Sequence, residues 1–306
     1  MLDIFRNPEP IFLTPKDSTR DNEYLEKLKA LEIRTANKEA KSAIQKEIAI
    51  VSAGIAGEKN IIYELQNSHM DMVVLHDLYY ETKSGHNAQI DFLVICSKKI
   101  FVIECKNLFG NIEINSKGDF VRSFNYGNRF CKEGIYSPIT QNARHMAVLK
   151  EKKVEGKNVI MAVLSNSGFD DCFRSLVVLA NPKTVLNDKY AKKEVKLQVY
   201  RADQLVNVIK KLNQQSKEPK FSVKEMQEIG NTWLERQSAH PDHRIDRFEQ
   251  MIAEQTPANI EDESKETKIC PRCGSPMVKR IAKRGDNKGQ EFWGCSAYPH
   301  CRYIEK

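Results

Sequence analysis

The chain has 306 residues, eight of them cysteine, with 48 basic and 41 acidic side chains and a net charge of +7. That length favours more than one folded unit, and cysteines this sparse exclude a disulfide scaffold. No apolar run approaches the roughly 18 to 20 residues that span a bilayer, and the opening MLDIFRNPEPIFLTPKDS lacks a signal peptide's apolar stretch, so the expectation is a soluble, cytoplasmic protein with no membrane partner.

Residues 1–49 read as an N-terminal helical region. Leu25, Leu28 and Leu31, then Ile44, Ile48 and Val51, recur at three-to-four spacing, as in one or two amphipathic helices. The heptad breaks around Arg34 to Lys41, which favours packing helices over a dimerising coil. Gly57 and Glu58 lead a further helical stretch to about Gln66. Strands are predicted near Met72 to Tyr80, Ile90 to Cys96 and Lys99 to Lys106. Ser137 before Pro138 is a helix-start signal, with the helix running to about Lys150. Strands return at Val159 to Leu164 and Leu176 to Ala180, and helices at Ala202 to Leu212 and Val223 to Arg236. Mixed α/β is the class. Apolar content falls between Arg236 and Thr267, where Glu261, Asp262, Glu263 and Glu266 make an acidic run, so 237–267 is the expected linker.

The last 39 residues hold nine basic and three acidic side chains, formally +6, and four cysteines: Cys270-x2-Cys273, then 21 residues, then Cys295-x5-Cys301. Zn²⁺ prefers tetrahedral thiolate sites, and a C-x2-C turn brings two sulfurs to one ion. A segment this short needs such a staple to fold. CPRCGSPMVKR and FWGCSAYPHCRY resemble the four-cysteine zinc finger at the C-terminus of bacterial type I topoisomerases, over residues 268–306. The resemblance implies a structural Zn²⁺ and DNA, single strands included, as partner. Phe292, Trp293, Tyr298 and Tyr303 are the candidates to stack bases, with one of Phe292 and Trp293 expected to serve partly as core around the metal. Lys279, Arg280, Lys283, Arg284 and Arg302 are placed to follow phosphates. No topoisomerase activity is carried by the finger.

QIDFLVICSKKIFVIECKN alternates like a hairpin turning at Ser97 and Lys98. A two-residue loop sets Cys96 opposite Lys99, Asp91 opposite Glu104 and Gln89 opposite Lys106, with these four polar side chains on one face and Ile90, Phe92, Ile103 and Cys105 on the other. Opposed carboxylates repel unless a cation compensates, and Mg²⁺ suits two carboxylates plus a phosphate. Glu58 in GEKNIIYEL, the QID triplet, IECKN and Gln141 in SPITQNARHM together resemble the nuclease-related domain of the PD-(D/E)XK superfamily, over about residues 50–170, with 171–236 as its α/β extension. The resemblance implies a restriction-endonuclease-like mixed sheet flanked by helices. It also implies a catalytic core of Asp91, Glu104 and Lys106, Glu58 as a further acid near the metal, and Gln89 and Gln141 orienting water or phosphate. The expected reaction is Mg²⁺-dependent hydrolysis of DNA phosphodiesters. The other reading is an inactive nuclease fold serving as a DNA-binding or DNA-processing accessory, and RNA is an open substrate. His145 reads as a surface or core-edge histidine, and His240, Asp242 and His243 as a solvated segment rather than a second metal site.

Overall fold

The computed structural model describes residues 7–16, 19–155, 168–253, 268–282 and 289–305. It divides into two compact units, 1–249 and 250–306.

In the first unit the chain runs from strand β1 (Pro10–Phe12) into helices α1 (Thr19–Arg34) and α2 (Lys38–Gln66). Asn37 caps α2, its side chain accepting from the backbone of Glu39 and Ala40 at 2.9 and 3.1 Å, which satisfies two otherwise orphaned donors. The helix runs unbroken through Gly54 and Gly57, so it joins the two helical stretches expected from the sequence and crosses the boundary placed at residue 49.

Strands β2 (Met72–Glu81), β3 (Asn87–Ile95) and β4 (Ile100–Lys106) follow, then β5 (Asn111–Ile114), β6 (Phe120–Tyr126) and β7 (Arg129–Ile135). Next come helix α3 (Pro138–Val154), β8 (Phe173–Leu179), β9 (Leu186–Asn187) and β10 (Val199–Arg201). Two longer helices, α4 (Leu205–Gln215) and α5 (Val223–Glu235), complete the pattern. The predicted strand at Val159 to Leu164 lies outside the described residues.

The main sheet has the order β1-β2-β3-β4-β8-β10 and is mixed: β2, β3 and β4 form an antiparallel meander, while β1 joins β2, β8 joins β4 and β10 joins β8 in parallel. One face buries Val74, Phe92, Val94 and Phe101 against Ile61 and Leu65 of α2 and Ile209 of α4. The other buries Val73, Leu75, Leu93 and Val102 against Val148 and Leu149 of α3 and Trp233 of α5. Strands buried on both faces read as continuous apolar runs, as LVI and IFVI do here. Beside this three-layer core a smaller sheet, β7-β6-β5-β9, closes over Val177 and Leu179 with Ile112, Ile114 and Phe120. Its three strands between 111 and 135 have no counterpart among the predicted elements.

Residues 237–253, assigned to the linker from composition, hold structure. Ser238 donates its backbone N–H to Tyr79 O at 2.9 Å, and Arg244 pairs with Asp21 at 2.7 Å and Asp242 at 3.1 Å. A helix, α6 (Asp246–Ala253), buries Phe248. Ion pairs and one aromatic hold this strap, and low apolar content hides such contacts. Among the described residues no helix is long and apolar enough to cross a membrane.

The second unit is a three-stranded antiparallel sheet, β11 (Met277–Ile281), β12 (Glu291–Cys295) and β13 (Ile304–Glu305). Its buried hydrophobic cluster is Cys270, Met277, Cys295 and Cys301.

Candidate active site and zinc centre

The β3–β4 turn at Ser97 and Lys98 sets the register read from the sequence: Cys96 N donates to Lys99 O at 2.8 Å, and pairing runs from Ile95↔Ile100 to Phe92↔Ile103. There the ladder ends. Asp91 and Glu104 come next, and Asp91 Oδ2 accepts the Cys105 backbone N–H at 2.7 Å in place of a backbone partner. A fault in the strands accompanies this. Asp77 has φ of +54° and is missing from the β2–β3 ladder opposite Asp91. Before it Val73 and Leu75 face the α3 side, and after it Leu78 and Tyr80 do. The inward phase thus slips by one residue at Asp77 and Asp91, and the freed carboxylate turns toward the end of β4.

Helix α2 approaches the same strand end because residue 57 is glycine: a Cβ there would lie 2.6 Å from Asn107 Cβ and 3.2 Å from Cys105 Sγ. Asn107 Nδ2 donates to Ala53 O at 2.7 Å and locks the approach, which presents Glu58. From the other side α3 is anchored by buried Asn142, whose Nδ2 donates to Val102 O at 2.9 Å and Leu176 O at 3.0 Å. That anchor aims Gln141 and His145 inward.

The result is a cleft of about 200 Å³ lined by Glu58, Gln89, Asp91, Glu104, Lys106 and Gln141, with Gly54, Cys105, Asn107 and His145 completing the wall. All six catalytic candidates from the sequence therefore meet. The single-face expectation is corrected in two respects: the slip at Asp91 puts Ile90 on the α3 side and Phe92 and Ile103 on the α2 side, and Cys105, assigned to the face away from the acids, also lines the cleft, which opens at the strand end between α2 and α3.

Glu104 is 1% exposed. Its Oε1 pairs with Lys106 Nζ at 2.6 Å, while Oε2 is buried without a hydrogen bond and lies 3.3 Å from His145 Nδ1. Burial pushes Asp91 well above the usual carboxylate range, and the nearby Glu104 and Glu58 add to it against the Cys105 N–H and Lys106. Burial also raises Glu58 to about 8, with Asp21 and Asp77 contributing. At Lys106 burial works downward, but Glu104 and Asp91 outweigh it and the ammonium is held above its ordinary value. Three carboxyl groups crowd a small cleft with one lysine. Gln89 Nε2 donates to Asp77 Oδ1 at 3.3 Å, and Arg20 pairs with the same carboxylate. His145, expected at the surface or core edge, lines the cleft instead, one turn beyond Gln141 on the same helix face.

Residues 53–180 match the nuclease-related domain. Residues 267–306 match the topoisomerase DNA binding C4 zinc finger. The chain thus carries a nuclease-related domain and a finger of DNA-binding type. Similar curated proteins include DNA topoisomerase 1 of Mycoplasma genitalium, 50% identical over 36 residues, or 12% of this chain and 5% of that protein. DNA topoisomerase 1 of Mycoplasma pneumoniae matches to the same extent. An uncharacterized protein of Haemophilus influenzae is 44% identical over 41 residues, covering 13% of this chain and 20% of its own. The chain therefore spans a small fraction of each of these relatives. No solved structure matches.

In the finger the four sulfurs lie within 4.8 Å of one another, and among the described residues they are the one cluster of three or more cysteine, histidine or acidic ligands able to hold a metal. Cys270 and Cys301 are 3.8 Å apart, Cys273 and Cys295 3.3 Å. A tetrahedron of 2.3 Å Zn–S bonds has edges of about 3.8 Å, so the set fits a structural Zn²⁺. The sheet separates the candidate DNA contacts. Arg280, Phe292, Tyr298 and Arg302 line one groove of about 340 Å³. Trp293 instead packs against the cysteine cluster, with Lys279 Nζ 5.7 Å from its ring and 3.4 Å from Glu291. Trp293 thus serves partly as core, together with Tyr303, which packs on the same cluster and also lines the groove. Lys283 and Arg284 lie outside the described residues. His240 packs on Tyr79 at 4.4 Å, while His243 and Asp242 pair with Asp246 at 3.2 Å and Arg244 at 3.1 Å.

Proposed function

We propose that the protein is a Mg²⁺-dependent nuclease that hydrolyses DNA phosphodiesters in the cleft at the end of β4. The observation that carries this reading is the convergence of Asp91, Glu104, Glu58 and Lys106 on one small cavity. Burial, with Glu104 and Glu58 close by, makes an ionised Asp91 costly unless a cation joins it, and Glu104 Oε2 is buried without a hydrogen bond. Hard oxygen ligands suit Mg²⁺.

Asp91 and Glu104 are the ligands, and bound Mg²⁺ would neutralise phosphate charge and lower the pKa of an attacking water. Lys106, kept protonated by its acidic neighbours, donates to the phosphate oxygens as charge builds on them. Gln89 and Gln141 offer amide donors to orient water or phosphate, and Glu58 is the accessory acid. The finger contributes DNA affinity, single-stranded DNA included, and sharing one chain raises the local substrate concentration. A reducing, cytoplasmic setting belongs to the same reading, since the zinc thiolates must stay reduced.

The test is cleavage of linear, circular and single-stranded DNA, with RNA as a further arm, by the full chain in Mg²⁺. Asp91→Ala and Lys106→Ala should abolish cleavage and leave DNA binding in place. Cleavage unchanged in both variants removes the site. Binding without cleavage by the unsubstituted chain makes the domain a platform rather than an enzyme.

A further inference from the structure

The hairpin of β6 and β7 lies between the two stretches of chain that build the cleft, after Lys106 and before Gln141. Its surface is unusual for a solvent-facing sheet. Tyr126 is 78% exposed and Phe130 71%; Phe109, three residues beyond Lys106, is 63% exposed, and Tyr136, at the entry to α3, 57%. Scattered apolar side chains on a surface need no explanation, but large aromatics gathered on and beside one hairpin do; of these Phe130, paired with Asn125, lies on the face opposite Tyr126.

Their arrangement has order. On β6, residues 120, 122, 124 and 126 share a face. Phe120 at its base is buried with Ile112 and Ile114, so the face begins as core. Beyond Phe120 it continues as Arg122, Phe124 and Tyr126, with Arg129 paired across from Tyr126. Phe109 stands edge-on to Phe124 at 5.9 Å, and the Arg122 guanidinium lies 4.8 Å from the Phe124 ring. Gly110 permits this approach, since at φ of +96° a Cβ there would fall 2.5 Å from Ser123 O. A second pair flanks the cleft from α3, where Arg144 sits 5.5 Å from the Tyr136 ring. From the end of the catalytic strand outward the rings Phe109, Phe124 and Tyr126 thus follow one another, with the Arg122 and Arg129 guanidinium groups beside them.

We propose that this hairpin is a binding platform for single-stranded DNA, on which unpaired bases stack while the arginines follow the phosphates. Charge selects the occupant: on this face Arg122 is paired with Glu133, while Arg129 and, beside Tyr136, Arg144 leave a net positive charge that suits a polyanion; Lys132 lies on the other face and pairs with Glu113. The exposed rings suit that polyanion only where its bases are unstacked, because paired bases offer no open face. Phe109 follows Lys106 by three residues, or roughly 10 Å of extended chain, which is within two nucleotides of the proposed reaction centre. The assignment rests on the cleft being a phosphodiester site, and it adds a strand preference and a polarity: the bound strand leads into the cleft across Phe109.

The experiment uses the full chain with a short oligothymidylate carrying a photoreactive thymine, crosslinked in Ca²⁺ to restrain cleavage, followed by peptide mapping. Crosslinks within 109–136 are expected in addition to any in the finger. Tyr126→Ala and Phe109→Ala, both at exposed positions, should each raise KM for the single-stranded oligonucleotide roughly tenfold with kcat little changed, whereas Tyr126→Phe retains binding. Should crosslinks map to the finger alone and KM stay put in both variants, the platform is overturned. Equal affinity for duplex and single strand overturns the strand preference. Tyr126→Ala dissociating a dimer without loss of DNA binding makes the face a contact between two copies, which also overturns it. The two readings fail separately: crosslinks in the hairpin with no cleavage under any metal leave the platform and remove the nuclease, and cleavage with an unaffected KM does the reverse.

Discussion

The main sheet buries Val73, Leu75, Phe92 and Phe101 completely between two helical layers, whereas the finger buries little besides three of its cysteines and Met277. The first unit has a core large enough to hold Asp91, Glu58 and Glu104 in a cleft where their charges oppose folding. The finger has no such reserve, and its strands meet only because four sulfurs converge. A deep core tolerates an unfavourable site and a shallow one depends on its site, so removing the metal should unfold the finger but leave the first unit folded.

Zinc removal is the largest expected break. Structural Zn²⁺ is worth about 10 kcal/mol or more to a small domain. A zinc-selective chelator, or Cys295→Ala, should therefore abolish protection of residues 268–305 in hydrogen exchange and leave the melting of the first unit unmoved. Next in size is the reaction. Lys106→Ala should lower kcat by roughly a hundredfold to a thousandfold, the scale of a lost transition-state donor. Asp91→Asn should do at least as much, yet raise the melting temperature of the metal-free first unit by removing a buried charge.

The pH dependence of that unit sharpens the contrast. Glu58 titrates at about 8 when folded against an ordinary value of 4.5. The folded state keeps a proton that the unfolded chain has released. The contribution to stability is thus complete below about pH 4.5 and is lost as pH rises toward 8, at up to about 1.4 kcal/mol per pH unit. Asp91 carries the same sign. Denaturant melts without divalent metal should weaken from pH 5 to 8, Mg²⁺ should restore stability most at pH 8, and Glu58→Gln should flatten the profile. The smallest effect separates two glycines on one helix. Gly54 has open space around its missing Cβ and Gly57 does not. Gly54→Ala should stabilise by about 0.5–1 kcal/mol, and Gly57→Ala should cost about 1–3 kcal/mol and displace Glu58, as read from melts and kcat together.

Much of this was legible in the chain. The cysteine spacing identified the finger because metal ligation is a local constraint that short sequence records directly. The β3–β4 register was countable from Ser97 and Lys98, and the cap at Ser137 marked α3, its side chain accepting from Thr140 N at 3.3 Å. The β6–β7 hairpin carried a Gly127–Asn128 turn signal that went unread, since Arg122, Ser123 and Asn125 interrupt its apolar pattern. The strap at 237–253 escapes the sequence for a different reason: it is held by ion pairs to Asp21 and Glu47, 223 and 200 residues from their partners Arg244 and Arg247.

The sequence by itself determined the finger, the α/β class and the candidate acids, because spacing, alternation and capping act over a few residues. Only the tertiary structure decided that Glu58 reaches Asp91 and that Cys105 and His145 join the cleft. Those outcomes depend on a φ of +54° at Asp77 and a missing Cβ at Gly57. Such features set how distant segments approach, and their effect exists only once those segments have packed.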